Sequence, residues 1–449
     1  MKSRHTSATG SSMSAVDRRT MLKRTGHAAL AVSGASLVGV EGILAANRAP
    51  AVLQGEGEIS GTVRLLASLS LEALEGLFNS FMEQHPNVEL VVEEVVAEGW
   101  GGFSDEVSTR IAGGEVYDVV QIATEGQRVF ASRGLLEPID DYIERDREEL
   151  NDFFESVPPN LLEWTRTLSS SDGQTYFLPG EFNTMGIWYN AEMFARADVP
   201  EPAEDWTWDT FRAAATELTG QDGSYGMSVG AALFASVMPW LLTNGASPLN
   251  ADWTEATINT PEAIEATEFM RGLVADGISP EPGGEFDPYT TMAQGRLAMF
   301  GAGRWPLGNI RELEIVDSVK IAHWPQRAGH GSPIGWKSYP IMQVSENKEA
   351  AWAFVKFMTT PEASEAIAVL GTEVPPRREA IESEVFLENS PEGMGIFFEA
   401  VDYATPVPGP DNGSIIETAI GDSYGQILVG NVEVEQGLND LNATIQSNL

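Results

Sequence analysis

Gly61-Thr-Val-Arg-Leu-Leu-Ala67 reads as a strand, and the architecture of the chain turns on the segments after it. Leu71, Leu74, Leu77, Phe78, Phe81 and Met82 recur at helical spacing, and Pro86 comes after the stop. Val88 to Val96 is rich in β-branched residues and predicts a second strand. Residues 104–112 predict a helix, and Tyr117-Asp-Val-Val-Gln-Ile-Ala123 a buried strand. Gln127 to Arg133, closed by Gly134, predicts another helix. A β-α-β-α-β order makes a parallel sheet with helices on both faces, so the fold class is α/β. Ligands of such sheets bind beyond the carboxyl ends of the strands, here Ala67–Ser70 and Ala123–Gly126.

The chain has 449 residues, enough for two or three domains at ~150 residues each. Apolar residues make up 43% and charged residues 21%, a balance that folds rather than stays disordered. There is no cysteine, which excludes disulfides, thiolate metal sites, Fe–S clusters, a cysteine nucleophile and a lipidated N-terminal cysteine. The formal charge is −39, so nucleic acid and anionic membrane surfaces are repelled as partners.

Asp17-Arg-Arg-Thr-Met-Leu-Lys-Arg24 resembles the twin-arginine export signal. Ala28 to Ala46 is weakly apolar and broken by Gly34, Gly39, Glu41 and Gly42, too interrupted for a span of ~20 apolar residues. Residues 1–46 therefore read as a signal peptide, cleaved near Ala45 or Ala46 or retained as an anchor. The protein is expected in the periplasm or on the outer cell surface. Removing those residues leaves 21 basic and 64 acidic ones, so the positive charge was concentrated in the signal.

Several later segments share an order with one known family. They are Asp118-Val-Val-Gln-Ile122 with Gly134-Leu-Leu-Glu-Pro-Ile-Asp-Asp-Tyr142 after it, then Asp172-Gly-Gln-Thr-Tyr-Phe-Leu-Pro179, and Gly186-Ile-Trp-Tyr-Asn190. Trp206-Thr-Trp-Asp-Thr-Phe211, Met292-Ala-Gln-Gly-Arg-Leu-Ala-Met-Phe300, Gly303-Arg-Trp305 and Lys348-Glu-Ala-Ala-Trp-Ala-Phe-Val-Lys-Phe-Met358 come next. Together they resemble the family 1 extracellular solute-binding proteins, the sugar-binding type that serves ABC importers. The likeness runs along nearly the whole chain after the signal.

The resemblance implies a type II periplasmic-binding-protein-like fold of two discontinuous α/β lobes with an interlobe cleft. Lobe one would be residues 59–178 plus 332–376, and lobe two 185–326 plus 378–449. Chain crossings near 180, 329 and 377 would form the hinge. The implied role is capture of a small solute by lobe closure and delivery to a membrane permease, by a monomer without a cofactor. The implied solute is a mono- or oligosaccharide, neutral or acidic. A polyamine or a phosphodiester in the same fold is the alternative. A secreted glycoside hydrolase, with two carboxylates across a cleft, is a further one.

A sugar offers apolar ring faces and a rim of hydroxyls, so its site needs flat aromatics and polar side chains at the edges. Trp305 stands where the family places a stacking aromatic, and Trp240 where it often places a second. Trp336 follows Gly335 at a strand start and would face the cleft. Burial in the core is the alternative for Trp305 and Trp240. Trp206 and Trp208 read as pins of a helix start, and Trp352 as core. Glu125 lies just past the strand ending at Ala123, where the family has an acidic sugar ligand; the alternative is an acid favoured at a helix N-terminus. Asn183, in the first crossing, would supply a donor and an acceptor, with Phe182 as a cleft wall. Arg304, Lys337 and Arg377 would read sugar hydroxyls, or an acidic group on the sugar; the alternative is ion pairing with the abundant carboxylates.

Other chemistries find no complete signature. Gly421-Asp-Ser-Tyr-Gly425 fits the serine-hydrolase pattern, but no histidine follows Ser423, and the segment reads as part of a helix or turn. His85, His323 and His330 lie outside the signal, with no i, i+4 pair, and no phosphate loop ends in Gly-Lys-Ser/Thr. No catalytic residue, metal or cofactor is expected.

Overall fold

The computed structural model describes residues 59–449 apart from 69–70, 96–98, 221–222 and 285. The signal segment and the loop residues Leu69 and Ser70 lie outside the described residues. Strand β1 (Gly61–Ala67) pairs in parallel with β2 (Val88–Glu94) along its whole length and with β3 (Val119–Val120). Helix α1 (Leu71–Gln84) makes the crossover between β1 and β2. The order β2-β1-β3 is the parallel sheet that the apolar pattern implies.

Three boundaries differ from the pattern. Helix α2 (Gly99–Ala112) begins well before residue 104, because Gly99, Gly101 and Gly102 carry little helical signal of their own. Helix α3 (Thr124–Ser132) begins before Gln127, which places Glu125 in its first turn. The strand expected over 117–123 is split at Gln121. Its second part, β4 (Ile122–Ala123), turns to pair antiparallel with β9 (Ser332–Ser338). Gln121 is fully buried, and its side chain ties three segments together. Its Oε1 accepts from the Ser68 N–H at 3.0 Å, and its Nε2 donates to Glu181 at 2.7 Å and Tyr339 at 3.1 Å.

The second lobe is built on a different sheet. Strand β6 (Gly186–Asn190) lies between β7 (Met299–Ala302) and β8 (Val319–Ala322), antiparallel to both. Its side chains alternate between two apolar layers. Trp188 stacks on Phe300 at 6.0 Å on one face, and Ile187 and Tyr189 pack with Met299 on the other. The molecule is therefore two α/β lobes with unlike sheets. Apolar packing continues between them, because one buried cluster joins Val63 and Phe81 to Phe182, Trp188 and Ile321.

Between the sheets, separate stretches of chain run side by side. Strand β5 (Phe182–Asn183) pairs antiparallel with β9, Phe182 opposite Trp336. Phe182 also exchanges both backbone hydrogen bonds with Val374, and the Gly180 N–H donates to the Lys337 carbonyl at 2.7 Å. Strand β10 (Ala404–Pro406) adds to β9 in parallel. Among the described residues, no helix is long and apolar enough to cross a membrane.

Candidate functional site

A cavity of about 480 Å³ opens above this seam, a size that suits a small solute. Trp100 of α2, Phe234, Trp305 and Trp336 of β9 supply its aromatic surface. Glu125 of α3, Asn183 of β5, Lys337 of β9, Glu373 and Glu417 supply its polar edge. Glu417 belongs to helix α4 (Gly413–Leu428). Larger grooves, of about 1050 and 850 Å³, are lined within residues 194–217 and 140–179; each carries charged residues but two aromatics against four here, and each is built from one stretch of chain.

Each wall has a local cause. The Thr124 hydroxyl accepts from the Trp336 N–H at 2.9 Å and donates to the Trp336 carbonyl at 3.1 Å, pinning the start of α3 to β9. Glu125 and Trp336 thereby reach the same cavity. The Gly303-Arg304-Trp305 turn folds back on itself. A Cβ on Gly303 would lie 2.3 Å from the Trp305 ring and 2.7 Å from Asn183 Oδ1, so only glycine leaves room. Phe234 comes from a π-helical turn, Leu233–Val237, and its ring lies 6.3 Å from that of Trp305. Gly101 makes a second close approach: a Cβ there would meet Glu417 Oε2 at 2.9 Å, so the bare backbone of α2 admits that carboxylate.

Part of the polar edge is a connected network, and the edge as a whole has an excess of acid. Lys337 Nζ contacts Glu373 Oε1 at 2.5 Å and rests 4.4 Å from the centre of the Trp100 ring. Asn183 donates to the other Glu373 oxygen and to the Thr372 carbonyl at 3.2 Å, while its Oδ1 accepts from the Arg304 N–H at 2.8 Å. Burial pushes Glu373 above the usual carboxylate range, and Lys337 opposes that. Burial, reinforced by Glu417, pushes Glu125 up to about 8, and burial raises Glu417 as well. Neither Glu125 nor Glu417 has an ion-pair partner among the described residues. A second chamber of about 270 Å³ adjoins the first and shares Trp100, Lys337 and Glu373 with it. Glu181 lines it; one oxygen accepts from Gln121 and from Tyr339, and Oε2 has no partner.

A model of the bacterial extracellular solute-binding proteins matches residues 67–365, more than half of the chain. This chain belongs to that family. A binding protein of Brucella abortus is 26% identical over 312 residues, covering 67% of this chain and 72% of its own. The maltotriose-binding protein of Pyrococcus abyssi is 25% identical over 354 residues, covering 75% of this chain and 70% of its own. An ABC substrate-binding protein from Listeria monocytogenes, solved in complex with cycloalternan, superposes with a TM-score of 0.75 at 22% identity, covering 87% of this chain and 99% of its own. At that identity the likeness is one of fold. Members of this solute-binding family are non-enzymatic transport components that take a small molecule outside the cytoplasm and serve a membrane permease. Gly421–Gly425 lies inside α4, as part of a helix, and the Tyr424 hydroxyl is bonded to Thr267.

Of the residues singled out in the sequence, Glu125, Asn183, Trp305, Trp336 and Lys337 converge on the cavity. Four others do not line it. Trp240 is 1% exposed and sits among Trp208, Phe211, Phe269 and Trp324, at ring separations of 5.2 to 5.6 Å, in the second lobe's core. Phe182 is fully buried against Phe398, and what it brings to the cavity is its neighbour Asn183. Arg304 is fully buried and donates to the backbone carbonyls of Glu373, Ala368 and Phe386. Arg377 donates to the Thr359 carbonyl and pairs with Asp152. Arg377 is thus held by the protein itself, and Arg304 uses both terminal nitrogens on backbone carbonyls while its Nε has no partner among the described residues. Trp352 is core, and Trp206 and Trp208, both buried, flank Thr207 at the start of the helix Trp208–Glu217.

Trp100, Phe234, Glu373 and Glu417 join the site without having been singled out. Glu373 opens the Glu373-Val-Pro-Pro-Arg377 segment, which also carries Arg377. Glu417 is a lone acid between Ile416 and Ile420, an interruption that marks it only once the helix faces are known.

Proposed function

We propose that this protein captures a carbohydrate between its two lobes and hands it to the permease of an ABC importer. The observation that carries the reading is the cavity itself: four aromatic side chains form its walls and carboxylates, an amide and an ammonium form its rim. That is the division of labour a sugar requires. The relatives that bind maltotriose and cycloalternan support the same class. Glu125, Asn183, Trp305, Trp336 and Lys337 are the ligand-binding residues of this reading, with Trp100, Phe234, Glu373 and Glu417 added. The paired stretches at 182–183, 335–336 and 374 are its hinge, between lobes spanning 59–178 plus 332–376 and 185–326 plus 378–449. Export follows the twin-arginine route through residues 1–46, and the protein acts as a monomer.

A disaccharide has about two dozen heavy atoms, and at roughly 0.3 kcal/mol per atom its Kd is micromolar. A thermal-shift screen against neutral oligosaccharides, uronates, sugar phosphates and polyamines tests the reading. A ligand at 100 times its Kd adds about 2.7 kcal/mol of stability. A shift with at least one sugar is the expected result. Silence across all the sugars would overturn the carbohydrate assignment. Unchanged X-ray scattering on saturation would overturn lobe closure.

A further inference from the structure

The charges around the cavity do not balance. Glu125, Glu373 and Glu417 line the main chamber, and Glu181 lines the adjoining one. Among the described residues the one cation lining them is Lys337, and it is engaged by Glu373. Arg304 adds positive charge behind Glu373, through its bond to the Glu373 carbonyl at 2.7 Å, but it does not line either chamber. Glu125 and Glu417 are left facing the cavity without a cation, on helices that come from opposite ends of the chain. Of the buried polar atoms without a partner among the described residues, two belong to residues that line these chambers. Trp336 Nε1 belongs to a residue lining the main chamber, and Glu181 Oε2 to one lining the second, and both residues are 1% exposed.

A buried, unpaired carboxylate is costly, and two that repel one another are costlier. Hydroxyl groups of a neutral sugar relieve part of that cost. An ammonium group relieves more of it, and it gains a second partner in an aromatic face. Lys337 already illustrates the arrangement, its own ammonium lying between Glu373 and the Trp100 ring.

We propose that the solute selected here carries a positive charge, and that an amine-bearing sugar is the class that satisfies the aromatic walls and the acidic edge together. The sugar half of this statement rests on the function proposed above; the charge half rests on Glu125 and Glu417 alone. The ammonium sits between those two carboxylates. Glu125 must be ionised to accept it, so uptake of an already protonated amine near neutral pH releases a proton from the site. Glu417, Lys337 and Glu373 are the charged groups facing Glu125 in this linkage.

Calorimetric titration of the full chain with chitobiose in its deacetylated form, and with N,N′-diacetylchitobiose, separates charge from skeleton. Spermidine and maltose complete the set. At least tenfold tighter binding of the deacetylated sugar, reduced toward equality in Glu417→Gln, is the expected result. Repeating the titration in buffers of different ionisation enthalpy reads proton release on the unaltered protein, independently of whether the variant folds. Equal or tighter binding of the neutral sugars, with no proton released, would overturn the charge proposal and leave the carbohydrate reading standing. Binding of spermidine alone, sensitive to Glu417→Gln, would uphold the charge proposal and overturn the carbohydrate reading. Binding of none of the four would overturn both.

Discussion

The cavity wall and the core of the second lobe use the same residue types in opposite circumstances. Trp305 lies in a tight turn and keeps part of its ring open to the cavity. Trp240 is enclosed by four aromatic neighbours. Lys337 holds its ammonium at the cavity edge, whereas Arg304 is sealed beneath it with its two terminal nitrogens on three backbone carbonyls. An aromatic or a cation thus becomes a binding group through what its neighbours leave unsatisfied.

The strongest effect is expected within the aromatic pair. Trp240→Ala should cost about 3–5 kcal/mol and lower Tm by on the order of ten degrees, leaving the rank order of ligands intact. Trp305→Ala should move Tm far less and weaken binding at least tenfold. A Trp240 variant that keeps its Tm and loses its ligand would invert the comparison.

Arg304→Met comes next. Three buried carbonyls lose a charged donor, and urea unfolding should report a loss of about 3 kcal/mol. Lys337→Met should change affinity, because its ammonium faces the cavity. Equal urea midpoints for Arg304→Met and wild type would dissolve the distinction between buried and cavity cations.

A pH-dependent effect is expected from Glu125. Its folded value of about 8 lies above the ordinary 4.5, so between those values the folded chain keeps a proton that the unfolded chain has lost. The stability from this group is fully present below about pH 4.5 and is lost as pH rises toward 8. Thermal unfolding of the unliganded protein should therefore lose that component over this window. Glu125→Gln should remove it, visible as a flatter difference between the two pH profiles. Parallel profiles would show that Glu125 titrates normally.

The weakest effect sharpens the reading of Arg377. Its partner Asp152 is largely exposed, with 74% of its side chain accessible. Asp152→Asn should cost under about 1 kcal/mol and leave affinity unchanged. A tenfold loss of affinity would return Arg377 to the site.

The α/β order was legible because periodicity is local. Leu71 to Met82 spells a helix, and Val88 to Val96 a strand, whatever lies around them. The Gly-rich start of α2 concealed Trp100, since glycine weakens the very signal that extends a helix. The antiparallel second sheet was not legible either, because strands more than a hundred residues apart choose their direction only when they meet.

The amino-acid sequence alone was enough for the α/β class, the family and the types of residue available for a solute. It also placed Glu125, Asn183, Trp305, Trp336 and Lys337 in the segments that converge. Tertiary packing was needed to show that Trp240, Arg304 and Arg377 are occupied elsewhere, and that Glu373 and Glu417 complete an acidic edge. Burial and pairing are properties of contacts, and the contacts that satisfy Arg304 or leave Glu417 unpaired come from residues far away in the chain.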